Sequence, residues 1–128
     1  MTCKSDISNC GNSDILPVSD PKFNFREAAK NMLLLEDHLF NKGKVCRDCC
    51  TKHSLLIEGF LEEAISLDIN KIYYSLINES LTNWTQFKSY LYPVLEKNPI
   101  NTNDCVILAH KLRSIRKPLC EQFGRFIK

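Results

Sequence analysis

The chain has 128 residues, 44% of them hydrophobic and 25% charged, with a formal net charge of +2. That length accommodates one apolar core rather than two, and the composition excludes a wholly disordered chain. Its longest apolar runs, such as residues 32–35, fall far short of the roughly 20 residues that cross a bilayer, so no membrane span is expected.

Residues 1–20 are polar and without period, carry Cys3, Cys10, Gly11 and Pro17, and read as an N-terminal arm. The arm is either frayed or ordered by a partner, with Ile15, Leu16 and Val18 as its apolar patch. Lys4 and Asp6 lead into polar residues rather than an apolar stretch, which argues against a secretory signal and for a chain that is not secreted. Residues 21–128 then read as a single helical domain.

A first helix is expected from Asn24, where Asn24 and Glu27 have capping-box spacing and Phe23 with Ala28 has staple spacing. Apolar residues recur at Phe25, Ala28, Met32, Leu35 and Leu39, in steps of three and four that share one helical face widened by Ala29, Leu33 and Phe40. Asn41, Lys42 and Gly43 are expected to end this helix. A second helix is expected to start at an Asp48 cap, with a buried stripe of Cys49, His53, Leu56, Phe60, Ala64 and Leu67.

Beyond Asp68 and Asn70, Ile72, Tyr73, Leu76 and Ile77 suggest a short helix or the start of a longer one. Thr82 or Asn83 then caps a piece carrying Trp84, Phe87, Leu91 and Leu95, with a kink expected at Pro93. A loop around Asn98, Pro99 and Asn103 precedes a last helix with Cys105, Leu108, Leu112 and Ile115, expected to stop before Pro118. No strand alternation and no fixed repeat appear. The expectation is an all-α bundle of four or five helices, organised around the first hairpin.

The chemistry concentrates at the turn of that hairpin. His38, Cys46, Cys49 and His53 follow the order H-x7-C-x2-C-x3-H, offering two imidazoles and two thiolates to a tetrahedral zinc ion. Cys49 and His53 are one helical turn apart, and an antiparallel hairpin brings His38 opposite His53. Four protein ligands leave no open position, so the expected zinc is structural. The bland alternative is free thiols and packed histidines. Cys50, about 100° round the helix from Cys49, competes with a histidine for the fourth position. The seven cysteines of a chain without a signal are expected to be mostly thiols or metal ligands.

An enzymatic alternative is a thiol oxidoreductase using the C-x2-C dithiol. A flavin-linked sulfhydryl oxidase places such a pair on a small helical bundle, with Cys105 and Cys120 available as a second pair. That family's tryptophan and histidine before the motif and its H-N-x-x-N element are missing here: the first tryptophan is Trp84, and Lys111 follows His110. Glu36, Asp37 and Glu58 read as a solvated face, and His110 as exposed. The basic run of Lys111, Arg113, Arg116, Lys117, Arg125 and Lys128 against Glu121 offers a nucleic-acid contact or simply a wet face.

From Asp20 to Asp68 the segments DPKFNFREAAKN, LLLEDHL, CRDC, KH and EEAISLD, in that order, resemble a group of small uncharacterised Cys/His-containing helical proteins encoded by giant nucleocytoplasmic large DNA viruses of protists and algae. The C-terminal half carries no such likeness. The first half also resembles shorter C-x-x-C-x-x-K-H segments of some phage proteins, from which it departs by the insertion of Cys50. The resemblance implies a viral source and a virion- or capsid-associated role, and the expectation is a non-enzymatic, zinc-stapled assembly component with other viral structural proteins as partners and a place in the virion or the host cytoplasm.

Overall fold

The computed structural model describes residues 19–40 and 45–125. The expectations for the arm, for Asn41, Lys42 and Gly43, and for Lys128 therefore lie outside the described residues. Four helices follow one another: α1 (Pro21–Leu39), α2 (Arg47–Leu67), α3 (Tyr74–Leu95) and α4 (Thr102–Arg125). No strand occurs among the described residues, so the all-α expectation holds with four helices.

The first helix starts earlier than Asn24. Asp20 is its cap, accepting the Lys22 amide hydrogen at 2.8 Å, and Pro21 takes the first helical position, where a missing N–H costs nothing. Asn24 lies inside the first turn, its amide donating to the Asp20 carbonyl at 3.2 Å. The expected apolar face is buried throughout, from Phe25 to Leu39, while Phe40 at the C-cap is exposed. Polar residues on the flanks are buried as well, among them Asn31, Glu36 and His38, because α1 packs between α2 and α4 and has little surface left.

Helix α2 departs most from expectation. Its cap is Cys46 rather than Asp48, and its buried stripe is Cys50, Ser54, Ile57, Leu61 and Ala64. Ala64 is buried as expected, but the other four positions lie one residue, about 100°, round from the expected ones. Leu56 is exposed, while Cys49, His53, Phe60 and Leu67 are only partly covered. A helix of this bundle has two neighbours, so the centre of its buried face bisects them. The expected stripe faced the hairpin partner α1 alone.

Asp68 closes the turn after α2, its two carboxylate oxygens accepting the Ile72 and Tyr73 amide hydrogens at 3.0 Å each. Helix α3 is continuous, so Thr82 is not a cap; its hydroxyl instead bonds back to the Asn78 carbonyl at 2.9 Å. The two pieces expected here are one because Ile77, Trp84, Phe87, Leu91 and Leu95 share a buried face. Asn101 caps α4, accepting the amide hydrogens of Asn103 and Asp104 at 2.9 and 3.1 Å. The helix runs through Pro118 instead of stopping, with Leu112 before it and Leu119 after it both buried. Pro93 and Pro118 both lie on exposed positions, where water can hydrate the carbonyl each leaves without a donor.

The helices form a closed ring in which α1 and α3 each pack on α2 and α4, while across the diagonals, α1 with α3 and α2 with α4, no described Cα atoms approach within 8 Å. Cross-links between neighbours run antiparallel. Glu36 near the end of α1 meets Arg116 of α4, and Phe40 meets the earlier His110 edge to face at 5.3 Å. Between α2 and α3, Ser54 meets Tyr92 at 2.9 Å, and Glu58 accepts from Trp84 at 3.3 Å and pairs with Lys88. One end of the bundle therefore gathers the end of α1, the start of α2 and the end of α3. There Arg47, the first residue of α2, donates to the carbonyls of Leu95 and Lys97, pinning the start of α2 to the end of α3.

Candidate metal centre

At this end α2 opens with its cysteine pair. The extended backbone of Cys46 places its Sγ over the first turn, where it accepts the Cys49 amide hydrogen at 3.3 Å. A thiol thus fills the position normally held by a Ser or Asp oxygen. Asp48 sits within the first turn, its negative charge close to the positive end of the helix dipole. Cys46 and Cys49 are both partly exposed thiols, whereas Cys50, 0% exposed, packs into the core on the next face.

One turn further on, His53 faces α1. Its Nδ1 lies 2.9 Å from Asn31 Oδ1, while the Asn31 amide nitrogen donates to the Glu27 carbonyl at 2.9 Å. The amide is therefore oriented with its oxygen towards the imidazole. An oxygen of this kind only accepts, so His53 carries its proton on Nδ1 and keeps the Nε2 lone pair. This is the arrangement in which a histidine ligates a metal through one nitrogen while an outer partner fixes the other. Asn31 and His38 are seven residues apart, two turns on the same face of α1, which is how both reach His53.

His38 stacks on His53 with ring centroids 5.3 Å apart and planes inclined by 26°. It is 5% exposed, and its ring makes no hydrogen bond with another described residue. Burial lowers the pKa of His38, against the opposing pull of Asp37. Burial, with His38 and Lys52 adding to it, holds His53 down to about 4. Both rings are neutral near pH 7, the protonation state a metal requires.

The four predicted ligands thus stand at one end of the bundle as two local pairs, Cys46 with Cys49 and His38 with His53. Among the described residues no group of three or more His, Cys, Asp and Glu side chains converges on a point that holds a metal. The donor set suits zinc in chemistry, in protonation and in outer-shell support. Joining the pairs in one tetrahedron requires the two rings to leave their stack.

Other assignments change. Glu36 is not on a solvated face: it is buried against Arg116, with Arg116 Nη2 to Glu36 Oε1 at 3.2 Å, and burial raises its pKa despite that partner. Arg116 is thereby withdrawn from the basic surface of α4, where Lys111, Arg113 and Lys117 remain exposed. Glu58 is partly buried rather than solvated, its pKa lowered by its bond with Lys88 and further by Trp84. His110 is exposed as expected, although Phe40 meets it. Cys46, Cys49, Cys50 and Cys105 are thiols, as most of the cysteines were expected to be, whereas Cys120 is disulfide-bonded, which excludes a Cys105–Cys120 pair. Asn31 and Arg47 escaped the sequence reading. The two-turn spacing from Asn31 to His38 was the available signal for the first, and nothing local signalled the second.

Fold and site together define a four-helix bundle with a cysteine pair and a histidine pair at the turn of its first hairpin. Set against known proteins, the chain matches no family model, no curated protein and no solved structure. No described helix is long and apolar enough to cross a membrane.

Proposed function

We propose that this is a non-enzymatic structural protein whose first hairpin is clamped by a zinc ion bound through His38, Cys46, Cys49 and His53. The observation that carries the reading is the Asn31–His53 hydrogen bond, which leaves a neutral imidazole presenting Nε2 beside a second buried imidazole that has no hydrogen-bond partner among the described residues. Zinc held by four protein ligands has no position for water or substrate, so its contribution is to folding. It would tie the end of α1 to the start of α2, which Arg47 already ties to α3. The wider role follows from the resemblance of residues 20–68: a minor component of a viral particle, assembling with other viral structural proteins.

Elemental analysis of protein purified under reducing conditions tests the clamp, with one zinc per chain expected and a loss of stability on chelation. Protein without metal after reconstitution with zinc would remove it. Protein composition of purified virions tests the assembly role.

A further inference from the structure

We propose that Cys46 and Cys49 form a thiol–disulfide exchange site whose substrate is a small aliphatic disulfide, and that exchange there opens the metal clamp. The release of metal rests on the zinc reading above; the exchange chemistry does not.

Three observations single out this pair. Cys46 and Cys49 are both thiols and both partly exposed, whereas Cys50 and Cys105 are 0% exposed and Cys120 is already oxidised. The capping bond, 3.3 Å from the Cys49 nitrogen to Cys46 Sγ, holds the first sulfur against the backbone of the second cysteine. Cys46 sulfur therefore meets an N–H donor at the positive end of a helix, a setting that favours the thiolate, the form that attacks. Arg47, between them, is anchored on the Leu95 and Lys97 carbonyls, so the turn carrying both sulfurs is held in place.

The exchange proceeds in two displacements. Cys46 thiolate attacks one sulfur of the small disulfide; a Cys46 mixed disulfide forms and one small thiolate leaves. Cys49 thiolate then attacks Cys46 Sγ, forming the Cys46–Cys49 disulfide and expelling the second small thiolate. The protein pair loses two electrons and the small disulfide gains them. A disulfide sulfur is a poor zinc ligand, so a clamp built on His38, Cys46, Cys49 and His53 would be left with two ligands and would release its ion.

The full chain, reduced under conditions that spare its Cys120 disulfide and loaded with zinc, is exposed to glutathione disulfide in reductant-free buffer. Free zinc is read with a chromogenic chelator, and the cysteines by peptide mapping after alkylation. Expected is loss of the Cys46 and Cys49 thiols in step with zinc release, a Cys46–Cys49 cross-link, and return of both on adding dithiothreitol. Cys49→Ser should accumulate glutathione on Cys46, and Cys50→Ser should behave as the parent. If Cys49→Ser misfolds by circular dichroism, brief exposure of the parent to substoichiometric glutathione disulfide reads the same intermediate. Zinc bound but no cross-link formed would overturn the exchange site and leave the clamp standing. A cross-link formed in protein that never bound zinc would overturn the clamp and leave the exchange site standing. Glutathione found first on Cys50 or Cys105 would overturn the assignment of the nucleophile.

Discussion

Asn31 Oδ1 and His53 Nδ1 are 2.9 Å apart, joining α1 to α2 across 22 residues of sequence through a bond whose direction is set by the other end of the same amide. Replacing Asn31 with Leu leaves the His53 N–H without its acceptor in a half-buried place. The expected cost is about 1–3 kcal/mol in urea denaturation of the metal-free protein. Zinc affinity should fall by roughly 10–100-fold, as when other outer-shell partners are removed. An affinity equal to the parent, measured by competition with a chromogenic chelator, would show that His53 is not a ligand.

The same imidazole makes metal-free stability pH-dependent. Its folded pKa, about 4, lies below the ordinary 6.5, so the unfolded chain binds the proton more readily. The contribution is therefore complete above about pH 6.5, is lost as pH falls through the interval down to about 4, and changes no further below. His38, also lowered, acts in the same direction. With chelator present, the urea midpoint should drop between pH 7 and pH 4 by the equivalent of about 2 kcal/mol, less than the full shift because the ring is partly open to solvent. His53→Gln should flatten that slope, and an equally steep slope in the variant would place the titration elsewhere.

The position of the α2 stripe has a direct mutational test. Ile57 and Leu61 are 0% exposed, so truncating either to Ala should cost about 2–5 kcal/mol. Leu56→Ala, at a site 38% exposed, should cost less than about 1 kcal/mol. Thermal or urea unfolding of the three variants orders them, and a cost at Leu56 matching that at Ile57 would contradict this packing.

Glu36 and Arg116 form an ion pair buried between α1 and α4, with side chains 4% and 11% exposed. Arg116→Met leaves a desolvated carboxyl without its cation and should destabilise by about 3–5 kcal/mol. Because burial already pushes the Glu36 pKa up, the variant should recover part of that loss at acid pH by protonating Glu36. Adding Glu36→Leu should restore stability to near the parent, since an apolar pair of similar volume replaces a buried ion pair at little cost. Failure of the double variant to recover would mean that the pair is needed for packing rather than compensated charge.

Much of this protein was decided locally. Apolar steps of three and four are visible in one stretch of chain, so the all-α class, the buried face of α1 and the faces of α3 and α4 were legible in the sequence. So was the placement of Cys46, Cys49 and His53 along the start of α2, because the Cys-x2-Cys spacing and the turn between Cys49 and His53 depend only on neighbours in the chain. Residues 55–57 and 60–61 of α2 supply two apolar stripes about 100° apart, and local period cannot choose between them. The choice fell to the ring of helices: α2 contacts both α1 and α3, which centres its buried face on Ile57 and Leu61 and leaves His53 at the edge towards α1. Pairing across many residues was likewise settled only in three dimensions. Arg116 lies 80 residues from Glu36, and it is the packing of α4 on α1 that turns an apparently solvated acid into half of a buried ion pair.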